Sequence, residues 1–298
     1  MSVVIAALFS LCSFRAWHAI IFAKIRRWPV VPGLAIGILV FAAVFAPVIT
    51  THNPRLGNLR DQQIPPVWME GGRSAHLLGT DNVGRDIFAR IIYGSRVSLA
   101  VATTVLVFGC AIGTSLGLIA GYVGGQLDEI LMRAVDFTLA VPFIMVALVT
   151  ITVFGHSLTL LLILLILFSW GGFTRQARGE TLSLKTRDYV ALARIAGASG
   201  PRIIVRHILP GVFSTIVVVA SLSVGGLILT ESTLSFLGVG IQPPTPAWGL
   251  MVADGRNFLR SAWWISTFPG VAIFLTVFAV NFMGDWFRDY FDPRLREL

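Results

Sequence analysis

The sequence has 298 residues, of which 55% are hydrophobic and only 13% are charged, and its mean hydropathy is +0.80. Because soluble domains carry about 25% charged residues, this composition excludes an ordinary soluble protein and predicts an all-α, polytopic membrane protein. The net charge of +8 comes from Lys and Arg residues that flank apolar runs, so it indicates membrane topology and no nucleic-acid partner. Cys12 and Cys110 form no CxxC pair, and neither a disulfide framework nor a metal site is predicted.

Residues 1–29 are interpreted as an N-terminal cytoplasmic or interfacial segment. They begin MSVVIAALFSLCSF, which resembles the apolar core of a signal peptide but lacks a charged leader and a clear cleavage site. Arg15 and His18 interrupt any longer apolar run, so we predict a helix that lies at the cytoplasmic interface. The alternative, that residues 1–23 reflect a start-site artefact, stays open.

Six apolar runs are predicted to span the bilayer, whose core needs about 20 apolar residues per helix. They are residues 30–49, residues 97–123, the two parts of residues 137–174 on either side of Gly155-His156-Ser157, residues 208–230 and residues 261–284. With the N-terminus inside, 15 of the 23 Lys and Arg residues lie on the cytoplasmic side. The positive-inside rule therefore predicts a six-helix domain at residues 30–298, with both termini and the loop 175–210 in the cytoplasm.

Two segments are predicted to face a partner on the other side of the membrane. Residues 51–96 contain LLGTDNVGRDIFARIIYGSR, in which Thr80 or Asp81 is expected to cap a short helix that Gly94 ends. Residues 238–260 contain PPTPAWG, which is too rich in proline for a helix.

The chain lacks a nucleotide-binding loop and a catalytic site. The phosphate-binding loop ends in Gly-Lys-Ser/Thr, whereas Lys24 and Lys185, the two lysines of the sequence, follow alanine and leucine. The segment GTSLG at residues 113–117 matches a nucleophile pattern that needs a strand-to-helix turn, but it lies within a predicted span. We therefore predict no enzyme activity, no catalytic residue and no cofactor, with any ATP bound by separate subunits.

Four glycines recur every four residues along the second predicted span, at Gly109, Gly113, Gly117 and Gly121. Residues four apart lie on one face of a helix. Small residues at this spacing allow two membrane helices to approach closely, so these glycines are predicted to pack against a neighbouring helix.

Glu231 is the ionisable residue that lies clearly within a predicted span. Its carboxyl group either bonds to a neighbouring helix or lies in a translocation path, and the sequence leaves both open. Ion-coupled carriers usually place several ionisable residues at mid-membrane. Their scarcity here argues against the alternative function, an ion-coupled secondary carrier or channel.

The cytoplasmic loop is patterned as two short helices. RDYVALARIAG at residues 187–197 favours a helix that Gly197 ends. Ser199-Gly200-Pro201 suits the start of a second helix at residues 202–208, which runs toward the fifth span. Ala191 and Ala193 keep the first helix thin, which suits insertion into a groove of another protein. The alternative is a basic loop resting on lipid headgroups.

The spacing within this loop resembles the coupling motif of ABC importer permeases, E-A-A-x3-G-x9-I-x-L-P. Ala193, Gly197, Leu209 and Pro210 match the motif, whereas alanine at Ala191 replaces the usual glutamate, and Leu192 and His207 also depart from it. Other blocks resemble the second, DppC/OppC-type permease of the peptide and nickel importer class. These blocks are LLGTDNVGRDIFARIIYGSRVSLAV, GYVGGQLDEILMRAVDFTLAVP, LTESTLSFLGVGIQPPTPAWGLMVADGR and GDWFRDYFDPRLREL.

The resemblance implies a type I ABC importer permease fold in the bacterial inner membrane, with a cytoplasmic coupling helix. It implies that the chain lies in the lipid bilayer and has three kinds of protein partner: a homologous second permease, two ABC ATPase subunits and an extracytoplasmic solute-binding protein. Peptides or related small solutes would pass between the permeases, although the class also handles nickel chelates, glutathione and opine-like compounds. The ATPase-docking residues that it implies are Asp188, Tyr189, Ala191, Ala193, Arg194, Gly197, Leu209 and Pro210.

Overall fold

The computed structural model describes residues 30–291. The predicted interfacial segment 1–29 and the C-terminal residues 292–298 lie outside the described residues. Within residues 30–291 the chain is helical and has no strand. Its principal helices are α1 (Val30–Val44), α2 (Ile87–Val123), α3 (Gly125–Ala140), α4 (Phe143–Phe154), α5 (Leu158–Leu184), α6 (Asp188–Ile195), α7 (Gly200–Phe236), α8 (Trp248–Gly255) and α9 (Trp264–Phe291). Short helical segments lie at Ala46–Ile49, Leu59–Asp61 and Arg256–Phe258.

The prediction of an all-α, polytopic membrane protein is confirmed. Among the described residues, α2, α5, α7 and α9 are long and apolar enough to cross a bilayer. The 37 residues of α2 reach about 55 Å at 1.5 Å per residue, well beyond a hydrocarbon core of about 30 Å. Helix α1 is shorter, with 15 residues, and the chain continues after a turn at Phe45 into Ala46–Ile49. The number of six spans stays a prediction.

The third predicted span is not one straight helix. Helices α3 and α4 meet at a bend of 81°, because Val141 and Pro142 interrupt the helix. Val141 has extended backbone angles (φ −85°, ψ 127°), as expected for a residue that a following proline pushes out of the helical region. The 12 residues of α4 reach only about 18 Å, too short to cross the bilayer core alone.

The break predicted between the third and fourth spans is present. Helix α4 ends at Phe154 and α5 begins at Leu158. Gly155 between them has φ +80°, a left-handed conformation that glycine adopts without a steric cost.

The short helix predicted between Thr80 or Asp81 and Gly94 is wrong, because one helix, α2, begins at Ile87 and continues through Gly94 into the second predicted span. Asp86 caps the helix instead: its carboxylate accepts a hydrogen bond from the backbone N–H of Ala89. Gly94 lies inside the helix, where a Cβ atom would come within 2.7 Å of the ring of Trp248. That indole donates to the carbonyl of Ile91 at 2.9 Å. Because Gly94 has no side chain, the Trp248 ring of α8 can pack directly against the backbone of α2.

The closest helix packing joins α2 to α5 along the four-residue glycine series. A Cβ atom built on Gly109 would lie 2.0 Å from Ser169 Oγ, and one built on Gly113 would lie 2.4 Å from the carbonyl oxygen of Trp170. For Gly117 the nearest atom would be the carbonyl oxygen of Thr174 at 2.5 Å, and for Gly121 it would be Thr181 Cβ at 2.7 Å. Real Cβ atoms essentially never approach other atoms below 3.0 Å. The backbones of α2 and α5 therefore touch at a distance that any larger residue would prevent.

Clusters of buried side chains close the bundle at its two ends. At one end, called the α6 end, α6 packs against α2, α5 and the start of α7 through Leu118, Ala177, Val190, Ile203, Ile208, Val212 and Ile216. At the other, called the loop end, the start of α2 packs against α8 and α9 through Ile87, Trp248, Met251, Ala262, Trp264 and Ile265. The length of α2 separates the two ends.

Gly113→Ala should destabilise the protein, because the added methyl group meets the backbone of α5. Overpacking of this kind typically costs about 1–3 kcal/mol. Unfolding of the purified protein in detergent by a graded denaturing surfactant would measure the change. Gly172→Ala on α5 is the matched control, since a Cβ atom there meets nothing within 4 Å. Equal stabilities of the two variants would contradict the packing role.

Candidate functional site

Helix α6 is fixed to the bundle by one narrow face. Val190 is fully buried, and Ala193 packs against the same cluster, which includes Ile203 and Ile208 of α7. Because a helix of eight residues is not stable alone in water, these contacts hold it in place. The helix is thus positioned by α7 and by the end of α2.

The opposite face of α6 is apolar and exposed. Tyr189, Leu192 and Ile195 are 44%, 65% and 83% exposed, and their spacing places them on one side of the helix. Of the other predicted docking residues on this helix, Asp188, Ala191 and Arg194 are also exposed. Large apolar side chains grouped on an exposed face mark an interaction site.

Gly197 ends α6 in a left-handed conformation, with φ +78°. The N–H of Ala198 bonds to the carbonyl of Ala193 and the N–H of Gly197 to that of Arg194, each at 3.0 Å. This pair of bonds is the Schellman motif, which favours glycine at this position. A Cβ atom on Gly197 would meet nothing within 4 Å. Glycine is therefore favoured here by the backbone angle and not by a lack of space for a side chain.

The predicted second short helix is the first part of α7. Gly200–Ile203 continues through a π-helical turn at Ile204–Ile208 into Leu209–Phe236. The N–H of Leu209 bonds to the carbonyl of Ile204, five residues back. Pro210 follows at once, and proline both lacks an N–H and clashes with the carbonyl four residues earlier. The wider π turn accommodates it within one continuous helix.

Polar contacts tie the α6 end to the rest of the bundle. Lys185 Nζ donates to the carbonyl oxygen of Gly121 at 2.7 Å, near the end of α2. Arg178 of α5 binds Asp128 of α3 through two bonds, at 2.5 and 2.7 Å. Such a fork-to-fork pair fixes the geometry of both partners. The segment that precedes α6 is therefore bonded directly to α2, and α5 to α3.

Glu231 lies fully buried in α7. Its carboxylate accepts bonds from Ser235 at 2.8 Å and from Ser98 of α2 at 3.3 Å. Ser235 also accepts the backbone N–H of Ile241 at 3.1 Å. Glu231 thus joins α7, α2 and the turn that follows α7.

A buried ion cluster occupies the loop end. Asp81 binds both Arg85, at 2.6 Å, and Arg90, and Arg85 reaches Asp254 of α8 at 3.3 Å. Arg90 is 1% exposed, and its Nε and Nη2 atoms have no hydrogen-bond partner. Burial raises the pKa of the Asp254 carboxyl, while the neighbouring guanidinium groups oppose that rise. The cluster fixes the polar segment before α2 to α8.

A cavity of about 420 Å³ lies between α2, the start of α5 and the turn after α7. Its wall is largely apolar, with polar groups from Arg96, His156, Gln242 and Thr245. Sequence reasoning missed both the cavity and the ion cluster. The spacing of Asp81 and Arg85 is a local signal for the cluster, but Asp254 is distant in sequence and gives none.

Comparison with known proteins identifies the family. Residues 113–297 match the family model described as "Binding-protein-dependent transport system inner membrane component". This match covers more than half of the chain. The chain belongs to this family.

Similar proteins of this permease family align over most of the chain. The dipeptide transport system permease protein DppC of Escherichia coli is 44% identical over 282 residues, covering 94% of this chain and 93% of that protein. The protein of the same name from Haemophilus influenzae is 38% identical over 274 residues, covering 92% and 93%. The glutathione transport system permease protein GsiD of Pectobacterium atrosepticum is 45% identical over 227 residues, covering 76% and 75%.

The protein is therefore a permease subunit of an ABC importer and a multi-pass protein of the inner membrane, and the resemblance noted in the sequence is confirmed. Membership of a binding-protein-dependent family implies work with a solute-binding protein and with ATPases. The alternative of an ion-coupled carrier or channel is not favoured.

Asp81→Asn should destabilise the permease by about 3–5 kcal/mol, because it removes the carboxylate nearest to the buried Arg85 and Arg90 and leaves them only the more distant Asp254. Surfactant-induced unfolding of the purified protein would measure the loss. Asp61→Asn is the matched control: Asp61 pairs with Arg73, whose side chain is largely exposed, and such surface pairs contribute about 0–1 kcal/mol. A similar loss in both variants would argue against the buried cluster as a stabilising element.

Proposed function

We propose that this permease forms half of a translocation pathway, paired with a homologous second permease, and that the α6 end faces the cytoplasm together with both chain termini. In this arrangement α6 is the coupling helix, and it docks into a groove of one of two ATPase subunits. ATP is bound by those subunits alone. The loop end then faces the solute-binding protein.

The exposed apolar face of α6 is the observation on which this proposal rests. Tyr189, Leu192 and Ile195 are costly to leave in water and form a ridge with the spacing of a helix that fills a groove. Residue 191 is alanine, whereas the coupling motif has glutamate at this position. Contact with the ATPase therefore depends on the apolar ridge and on Asp188 and Arg194 beside it.

Two connections transmit movement of α6 to the membrane helices. The Schellman turn at Gly197 joins α6 rigidly to α7, which begins with Gly200 and passes through Leu209 and Pro210. Lys185 joins the other side of α6 to α2 through the carbonyl of Gly121. Closure of the ATPases would displace α6 and, through these two connections, tilt α7 against the α2–α5 pair that the glycine series holds together.

The transported solute is proposed to be a short peptide or a related small molecule such as glutathione. The similar permeases named for dipeptide and glutathione transport support this range. We place the outer part of the path at the cavity lined by Arg96, His156 and Gln242. Glu231 does not line this cavity but lies close to its wall, because Ser98, the hydrogen-bond partner of Glu231, is next in sequence to Val97, which lines the cavity.

Uptake by the purified complex in proteoliposomes tests the proposed function as a whole. Transport of a labelled dipeptide or of glutathione should require the binding protein and internal ATP, and vanadate should abolish it. Uptake that persists without ATP, driven by an ion gradient, would contradict an ATP-driven importer.

Leu192→Ser with Ile195→Ser should release the ATPases from the permease, because the substitutions remove the apolar ridge while leaving Val190 in the core. We expect at least about tenfold less ATPase to co-purify, which corresponds to about 1.4 kcal/mol. Leu59→Ser is the matched control, since Leu59 is 70% exposed but lies at the loop end. Undiminished co-purification of the double variant would rule out docking through this face.

Gly197→Val should uncouple transport, since a β-branched residue resists the left-handed conformation that costs ordinary residues about 1–2 kcal/mol. Gly197→Asn is the matched control, because asparagine tolerates that conformation. We expect the valine variant to reach the membrane normally but to lose about tenfold or more of ATP-dependent uptake. The asparagine variant should retain most of it. Equal transport by both would show that the turn geometry does not matter.

A further inference from the structure

Two histidines and one aspartate meet at the loop end, and none of them lines the cavity of the proposed path. His52 follows the short helix Ala46–Ile49, His76 lies in the irregular segment before α2, and Asp86 caps α2. One ligand atom from each residue lies within 4.8 Å of the other two. The imidazole rings of His52 and His76 have centroids 4.8 Å apart.

The local structure already orients these groups. His76 is buried, and its Nδ1 lies 2.9 Å from Asp86 Oδ2. The other oxygen, Asp86 Oδ1, accepts the backbone N–H of Ala89 at 2.7 Å. The helix cap thus fixes the carboxylate, and an ion held by both side chains would take the place of the proton between His76 Nδ1 and Asp86 Oδ2. His52 is half-buried, and its Nδ1 lies 3.1 Å from Thr51 Oγ1.

The three side chains match the ligands of a divalent transition metal. Imidazole nitrogen suits zinc, nickel and copper, whereas magnesium and calcium prefer oxygen ligands alone. Metal–nitrogen bonds of about 2.0–2.1 Å in a tetrahedral site place ligand atoms about 3.3 Å apart. Rotation of the His52 side chain closes the remaining distance. Two neutral imidazoles and one carboxylate also leave the ion a net positive charge and an open position for water or an external ligand.

We propose that His52, His76 and Asp86 bind one divalent transition-metal ion of the zinc or nickel type at the loop end of the permease. The ion would join the chain that follows α1 directly to the first residue before α2. Among the described residues this connection would add a cross-link between the first membrane helix and the α2–α5 pair. The site is independent of the solute that the importer carries.

A simpler arrangement makes a different prediction for His52. If His76 and Asp86 form only a hydrogen-bonded pair that supports the helix cap, His52 merely contacts the His76 ring and no ion binds. Loss of His52 would then leave metal affinity unchanged. Only a metal site requires His52 and His76 equally.

Metal titration of the full-length, tag-free permease in detergent tests the proposal. After removal of metals by a chelator, Zn²⁺, Ni²⁺ and Co²⁺ are titrated separately, with bound metal counted by elemental analysis and Co²⁺ coordination followed by its visible absorption bands. The wild type should bind about one ion per chain and should show a higher thermal unfolding midpoint when the ion is bound. His52→Ala and His76→Ala should each weaken binding by about tenfold or more.

Two further variants separate the ligands from other histidines and from the helix cap. His156→Ala, at the exposed Gly155-His156-Ser157 turn, should bind metal as the wild type does. Asp86→Asn keeps an oxygen that can cap the helix but is a weaker ligand, so it should lose metal affinity with little loss of stability in metal-free protein. The proposal is overturned if the wild type binds no ion, or if His52→Ala binds as tightly as His156→Ala.

Discussion

The backbone contact between α2 and α5 is the constraint on which the rest of this permease depends. Glycines at Gly109, Gly113, Gly117 and Gly121 bring the two helices together at a distance that no side chain would permit. Lipid offers no hydrophobic driving force between membrane helices, so close packing has to supply the attraction. The resulting pair reaches from one end of the bundle to the other. Lys185, which precedes α6, bonds to α2 at Gly121, Glu231 bonds to it at Ser98, and His76 bonds to Asp86, which caps it.

Each end has an apolar cluster, but among the described residues the loop end also has a buried ion cluster. At the α6 end, apolar contacts fix one narrow face of a short helix and leave its other face free for a partner. At the loop end, the buried charges of Asp81, Arg85 and Arg90 fix irregular chain to α8. Apolar contacts allow small sliding movements, whereas a buried ion cluster is strongly destabilised when a partner is displaced. The α6 end is therefore suited to movement and the loop end to holding a fixed shape.

Sequence reasoning found the features that depend on local spacing and missed those that depend on distant residues. The glycine series and the turn at Gly197 were visible because regular spacing and a left-handed position leave a local pattern. The bend at Pro142 also had a local signal, which hydropathy concealed because the apolar run continues through the proline. The prediction of a helix end at Gly94 is wrong because the role of this residue is set by Trp248, which is far along the chain. The ion cluster and the group of His52 with His76 depend on folding of the loop end and could not be derived from spacing.

The π turn before Pro210 has a consequence for the whole of α7. A turn closed by a bond five residues back holds one more residue than an α-helical turn, and each residue advances an α-helix by about 100°. The turn at Ile204–Ile208 therefore determines the direction in which each side chain of the following helix points. Were it to relax to α-helical winding, the 28 residues from Leu209 to Phe236 would rotate by about that angle relative to Gly200. Glu231 would then face away from Ser98, so a change of winding near the proposed ATPase contact would change which side chains face α2 at the far end of the helix.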